Sequence, residues 1–106
     1  MAWVYLTVAG IFEVVWAFAM KQSGGFTRPG PTAVTIVAMI ASFALLALSM
    51  KSLPLGTAYT IWTGIGAVGA FLVGVFILGE QANAMRIAAA LLIVSGLILM
   101  KLSSPA

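Results

Sequence analysis

Polar residues are so sparse along this chain that they cut it into four apolar runs, at about residues 3–20, 31–50, 55–78 and 85–102. Each approaches the roughly 20 residues that a helix needs to cross the hydrocarbon core of a bilayer. Breaker-rich joints separate them: "SGGFTRPGP" after the first run, "KSLPLG" after the second and "GEQANA" after the third. Arg86 and Lys101 bracket the fourth run, where long basic side chains can reach the headgroups. The pattern predicts an all-α integral membrane protein with four transmembrane helices. Residues 1–106 are expected to form a single domain, because only short loops remain outside the spans.

Composition supports the same reading. The chain is 63% hydrophobic and 7% charged, with mean hydropathy +1.20, and a soluble domain of this size cannot hide that much apolar surface. The first run is expected to be a mature span and not a signal peptide, since no Lys or Arg precedes it and Glu13 interrupts it. There is no Asp, His or Cys. That removes an imidazole base, a thiolate nucleophile, a Cys/His metal cluster and a disulfide framework. No enzyme activity, metal or cofactor is expected. A net charge of +3, scattered along the chain, is not a nucleic-acid footprint.

The basic residues are almost evenly divided between the two membrane faces. Lys21, Arg28 and Arg86 fall on the side of the first and third loops; Lys51, Lys101 and the N-terminal amine fall on the other. Orientation in a membrane follows Lys/Arg asymmetry, and here there is almost none. Two readings are open: statistical noise in a small protein, or a chain that inserts both ways and pairs with an inverted copy of itself.

The candidate chemistry centres on "AGIFEVVWAFAMK", where Glu13 stands near the middle of a span with no basic residue before Lys21. A charged side chain at the bilayer centre costs on the order of 3 kcal/mol on insertion scales, so such residues face a bundle interior or a water-filled cavity and mark ion or substrate paths. Its two oxygens can hold either a proton or a cation, and the two compete. The plainer alternative is a protonated acid that only bonds a neighbouring helix, a task Gln would perform without the risk of ionisation.

Helical spacing puts Gly10, Trp16 and Ala17 on the face of Glu13. Trp16 offers a π surface for a cation or an indole N–H for the carboxylate; lipid-facing bulk is its other reading. Span three carries Tyr59 and Trp62 one turn apart, with Gly66 four residues on. Span two is apolar except for Thr35, Ser42 and Ser49, spaced by seven into one stripe. Ser42 lies at about the depth of Glu13 and could donate to it, although Ser in such helices more often bonds its own i−4 carbonyl.

Gly66, Ala70 and Gly74 form a small-residue ridge suited to close helix approach. "GIGAVG" brings Gly64, Gly66 and Gly69 together, a plausible bend. Ala89 and Gly96 lie seven apart on span four as a candidate dimer seam. Four short helices cannot enclose a pathway alone, whereas a dimer of eight can. A two-fold axis would bring both copies of Glu13 to one site, where they would titrate as a coupled pair. Protons or an imported cation would be their counter-ions.

The spans, the single membrane Glu and "AYTIWTGIGAVG" resemble the small multidrug resistance family of proton-coupled exporters along essentially the whole chain. Within it, "GIFEVVWAFAMKQSGGFT" and "PLGTAYTIWTGIGAVGA" look like the guanidinium-exporting subtype. Trp16, three residues after the Glu, is the most telling position, since the polyaromatic-drug exporters usually carry a smaller residue there. The resemblance implies an antiparallel, dual-topology homodimer in the cell (inner) membrane, with the paired glutamates as a shared site for protons and substrate. It implies Glu13 as the coupling residue, Ser42, Trp16 and Trp62 as its hydrogen-bond partners, Tyr59 close to substrate and Gly10 making room. It further implies a bend at Gly64 and Gly66, a lateral opening toward lipid at Met39 and Phe43, and a span-four dimer contact around Ala89 and Gly96. Many relatives have a glycine at the position of Ala89.

The expected function is therefore proton-coupled antiport exporting guanidinium ion, with small alkylated guanidinium compounds as further substrates. Its partners are guanidinium, protons, a second copy of the chain and the lipid bilayer. The alternatives are a quaternary ammonium or multidrug exporter of the same family and a non-transporting membrane partner subunit.

Overall fold

The computed structural model describes residues 1–103, which form four α-helices and, among the described residues, no strand. In lipid no water is available to bond a bare backbone, so a spanning segment must satisfy its own N–H and C=O groups. That requirement overrides the weak helix propensity of the many Val, Ile and Gly residues. Helix α1 runs Ala2–Gln22, α2 Pro29–Ser49, α3 Leu55–Phe76 and α4 Ala84–Ser103. All four are long and apolar enough to cross a membrane, so the molecule is a multi-pass membrane protein.

The helix ends show how the joints work. Ser23 closes α1: its N–H donates to the carbonyls of Ala19 (2.9 Å) and Met20 (3.2 Å). Its hydroxyl donates to Met20 O and accepts from Phe26 N–H. The chain then passes through three left-handed residues, Gly24, Gly25 and Phe26 (φ 59°, 74° and 67°). The first two are glycines, for which this conformation is cheap; at Phe26 it is strained. Helix α2 begins at Pro29, two residues ahead of the expected span, because a proline in the first turn lacks only an N–H that would go unbonded there.

Helix α3 stops at Phe76 rather than Leu78. The N–H groups of Ile77 and Leu78 both return to Val73 O, Gly79 is left-handed (φ 71°), and Glu80 N–H reaches Gly74 O at 2.9 Å. Asn83 caps α4 by accepting the Arg86 N–H on Oδ1 at 2.9 Å, a role the sequence reading did not assign.

Helix α1 is the centre of the molecule. It packs against α2 on one side and α3 on the other, while α4 packs mainly on α3. The buried core joins Leu6 and Ala9 of α1, Leu46 of α2, Leu53 of the second joint, and Ala58, Ile61 and Trp62 of α3. The polar stripe Thr35, Ser42 and Ser49 is wholly buried. Thr35 and Ser49 turn their hydroxyls back onto α2's own carbonyls, those of Pro31 and Leu46, which makes them safe to bury. No residue of α4 is buried. Its last turn is tied to the start of α1 by the Lys101 ammonium, 4.1 Å from the centre of the Trp3 ring. The result is a flat slab, 43 × 34 × 16 Å in extent.

Candidate functional site

The site grows from the contact between α1 and α3. Gly10 faces Ile65, Glu13 faces Gly66 and Val14 faces Gly69. The numbers rise together, so the two helices run parallel and meet turn by turn through glycines. At Gly66 a Cβ would overlap the Glu13 carboxyl group itself. The small residues of α3 thus give the carboxyl a seat in the helix interface.

One turn below, a hydrogen-bonded chain ties three helices together. Trp62 of α3 donates its indole N–H to Ser42 Oγ of α2 at 2.9 Å, and Ser42 donates onward to the Ala9 carbonyl of α1 at 2.7 Å. Both groups are buried. The Ala9 carbonyl belongs to the turn that carries Glu13, four residues on.

This geometry corrects part of the expected hydrogen bonding. Ser42 bonds neither the Glu13 carboxyl nor its own helix, and the Trp62 indole is committed to Ser42. A buried hydroxyl needs an acceptor, and Ser42 finds one in the Ala9 carbonyl of the neighbouring helix. Glu13 Oε1 and Trp16 Nε1 are buried and have no hydrogen-bond partner among the described residues. Gly10 does make room, but for the Ile65 side chain.

Four aromatic rings run beside this chain. Trp16 and Phe43 stand edge-to-face at 6.4 Å, Phe43 and Trp62 are tilted at 5.7 Å, and Trp62 and Tyr59 at 5.6 Å. Phe43, expected at a lateral opening, is the ring that joins the two indoles, and it keeps 47% of its surface exposed. Tyr59 is 54% exposed at the far end of the row. Met39 lies one turn before Phe43 on α2 and is partly buried.

The remaining expected residues lie elsewhere. Helix α3 continues unbroken through Gly64 and Gly66; Gly64 receives the Leu97 side chain of α4 as Gly66 receives Glu13. Ala89 and Gly96 are both exposed. Gly96 lines a cleft between α3 and α4 together with Tyr59, Thr63 and Gly64. Ala89 lines a second one with Phe71 and Arg86.

Two participants were missed from sequence, the Ala9 carbonyl and the bridging role of Phe43. The first carries no residue-type signal, because the acceptor is a backbone carbonyl, although Ala9 shares the face of Glu13 at i−4. Among the described residues no group of three or more His, Cys, Asp or Glu could hold a metal ion. What the arrangement offers is a single carboxyl seated in an apolar helix interface, a place for a proton or an organic cation.

Comparison with known proteins agrees in family. Residues 1–93 match the Small Multidrug Resistance protein family. The guanidinium exporter of Escherichia coli (strain K12) is 57% identical over 104 residues, covering 98% of this chain and 99% of that protein. That of Yersinia pseudotuberculosis is 54% identical, covering 98% and 100%. That of Citrobacter freundii is 52% identical, covering 98% and 99%. With one membrane carboxyl seated between α1 and α3 and similarity along nearly its full length, the chain belongs to the small multidrug resistance family.

Proposed function

We propose that this protein is a proton-coupled antiporter that exports guanidinium ion across the cell membrane, working as an antiparallel homodimer. The observation that carries the reading is the Glu13 carboxyl, seated on Gly66 with Oε1 buried and without a hydrogen-bond partner among the described residues. A carboxylate left without a protein counter-ion in an apolar interface is completed by a proton or by a transported cation. The names of the relatives support guanidinium as that cation.

Chemistry supports the same choice. Guanidinium is planar and forked, so it can give a carboxylate two parallel N–H bonds. Stacking on Trp16 would add about 1–2 kcal/mol in a desolvated site. Cations without N–H donors, such as tetramethylammonium, leave the acceptors unpaired and should be rejected. A slab 16 Å in its thinnest dimension supports a second copy as the other wall of the path. The near balance of basic residues on the two faces supports an inverted one. Inward- and outward-open states of such a pair are equivalent by symmetry.

Proton-driven guanidinium transport by the purified protein in vesicles tests the proposal. The wild type should drive uptake, and Glu13→Gln should abolish it while the protein still assembles as a dimer. Robust coupled uptake by the mutant would refute the role of Glu13. Transport of a methylated ammonium drug in preference to guanidinium would favour the multidrug alternative. Labelling of one terminus from a single side of the membrane would sink the antiparallel arrangement.

A further inference from the structure

The chain has two acidic residues, Glu13 and Glu80, and both rest on the same ridge of α3. Glu13 occupies the space beside Gly66, and the Glu80 carboxyl occupies the space beside Gly74, where a Cβ would overlap it. Ala70 lies between. Eight residues of helix separate the two seats, about 12 Å along the axis. Glu80 does not fall there by chance of a loose side chain, because its own N–H is bonded to Gly74 O at 2.9 Å. The reversal after α3 folds the backbone back onto the helix end and holds the carboxyl over the ridge.

A cleft of about 210 Å³ runs between α1 and α3 at this end of the molecule. Val14 and Ala70 line its inner part, next to the Glu13 seat, while Lys21 and Glu80 line its mouth. The walls are otherwise apolar, and a cleft with low-dielectric walls focuses the field of the charges at its rim.

We infer that Glu80 is an outer cation-capturing residue of the transport path, holding a guanidinium-type cation at the mouth of the α1–α3 cleft before it moves to Glu13. This rests on the transport reading above and adds a second station to it. Lys21 is the built-in competitor at that mouth. Its ammonium is a compact point charge lining the same cleft, which opposes entry of a second cation, whereas a forked guanidinium can give the Glu80 carboxylate two parallel bonds. In an antiparallel pair each side of the membrane carries one such mouth.

The test is the concentration dependence of guanidinium uptake by the full-length protein in vesicles of neutral lipid, at low ionic strength and at 0.5 M sodium chloride. Glu80→Gln should raise KM about two- to fivefold at low ionic strength, the range expected for one exposed charge interaction, with the rate at saturation held. Lys21→Gln should lower KM. Gly74→Ala, which keeps the charge but displaces the carboxyl from its seat, should raise KM as Glu80→Gln does. All three differences should shrink at 0.5 M salt, where screening is nearly complete beyond a few ångströms.

An unchanged KM for Glu80→Gln at low ionic strength overturns the inference. So does a KM change that salt leaves intact, or a fall in saturated rate alone, which would mark a purely structural loop residue. Wild-type uptake with an indifferent Glu80→Gln defeats this inference only; absence of guanidinium uptake by the wild type defeats the transport reading with it.

Discussion

The carboxyl group of Glu13 lies directly against Gly66, in the space that a methyl group would otherwise fill. The two residues are far apart in sequence and belong to parallel neighbouring helices, so a change at either is felt at the other. Gly66→Ala should cost about 1–3 kcal/mol of stability through overpacking. It should also reduce guanidinium transport by about tenfold or more, because the displaced carboxyl no longer meets substrate in register. Uptake assays on folded, dimeric protein check this, and wild-type rates in that mutant would show that the seat is dispensable.

The Trp62–Ser42–Ala9 chain makes a prediction about coupling. Ser42→Ala leaves the buried Trp62 N–H without a partner, at a cost of about 1–3 kcal/mol. In a Trp62→Phe background no N–H is left to strand, so the same substitution should cost less, by about 1 kcal/mol. Unfolding of the four variants in detergent measures the difference. Strict additivity would mean that the bond contributes nothing to holding α2 and α3 together.

Much of this fold was legible because a bilayer imposes a length and an apolar composition on every span. The four helices follow from the hydropathy pattern, and their ends shift by only a residue or two where Pro29 starts a helix early or Gly79 ends one. The site was legible as a set of residue types, since a lone membrane carboxyl stands out against an apolar chain. Its bonds were not. A backbone acceptor such as Ala9 O has no residue-type signature; depth alone makes the Glu13 carboxylate one available acceptor for Ser42, and the family resemblance is what names it as the partner. Phe43 sits half-exposed, and from sequence an exposed ring on a span reads as facing lipid; its contacts with Trp16 and Trp62 depend on how three helices cross. Gly64 and Gly66 illustrate the same limit, because a glycine permits both a bend and a close approach. Only the positions of Leu97 and Glu13 show that both glycines receive a side chain in this structure.

The seat of Leu97 on Gly64 is the basis of a last prediction. Helix α4 packs mainly on α3, with the Lys101–Trp3 contact to α1, and buries no residue of its own, so its position depends on few contacts. A Cβ at Gly64 would overlap the end of the Leu97 side chain, and Gly64→Ala should push α4 outward at a cost of about 1–3 kcal/mol. Leu97→Ala alone removes apolar contact and is also destabilising. Combined, the two should be less harmful than their sum, because the methyl added on α3 enters space vacated on α4. Thermal unfolding of the single and double mutants measures the compensation. A double mutant as unstable as the sum of the singles would show that α4 is held by contacts other than this one.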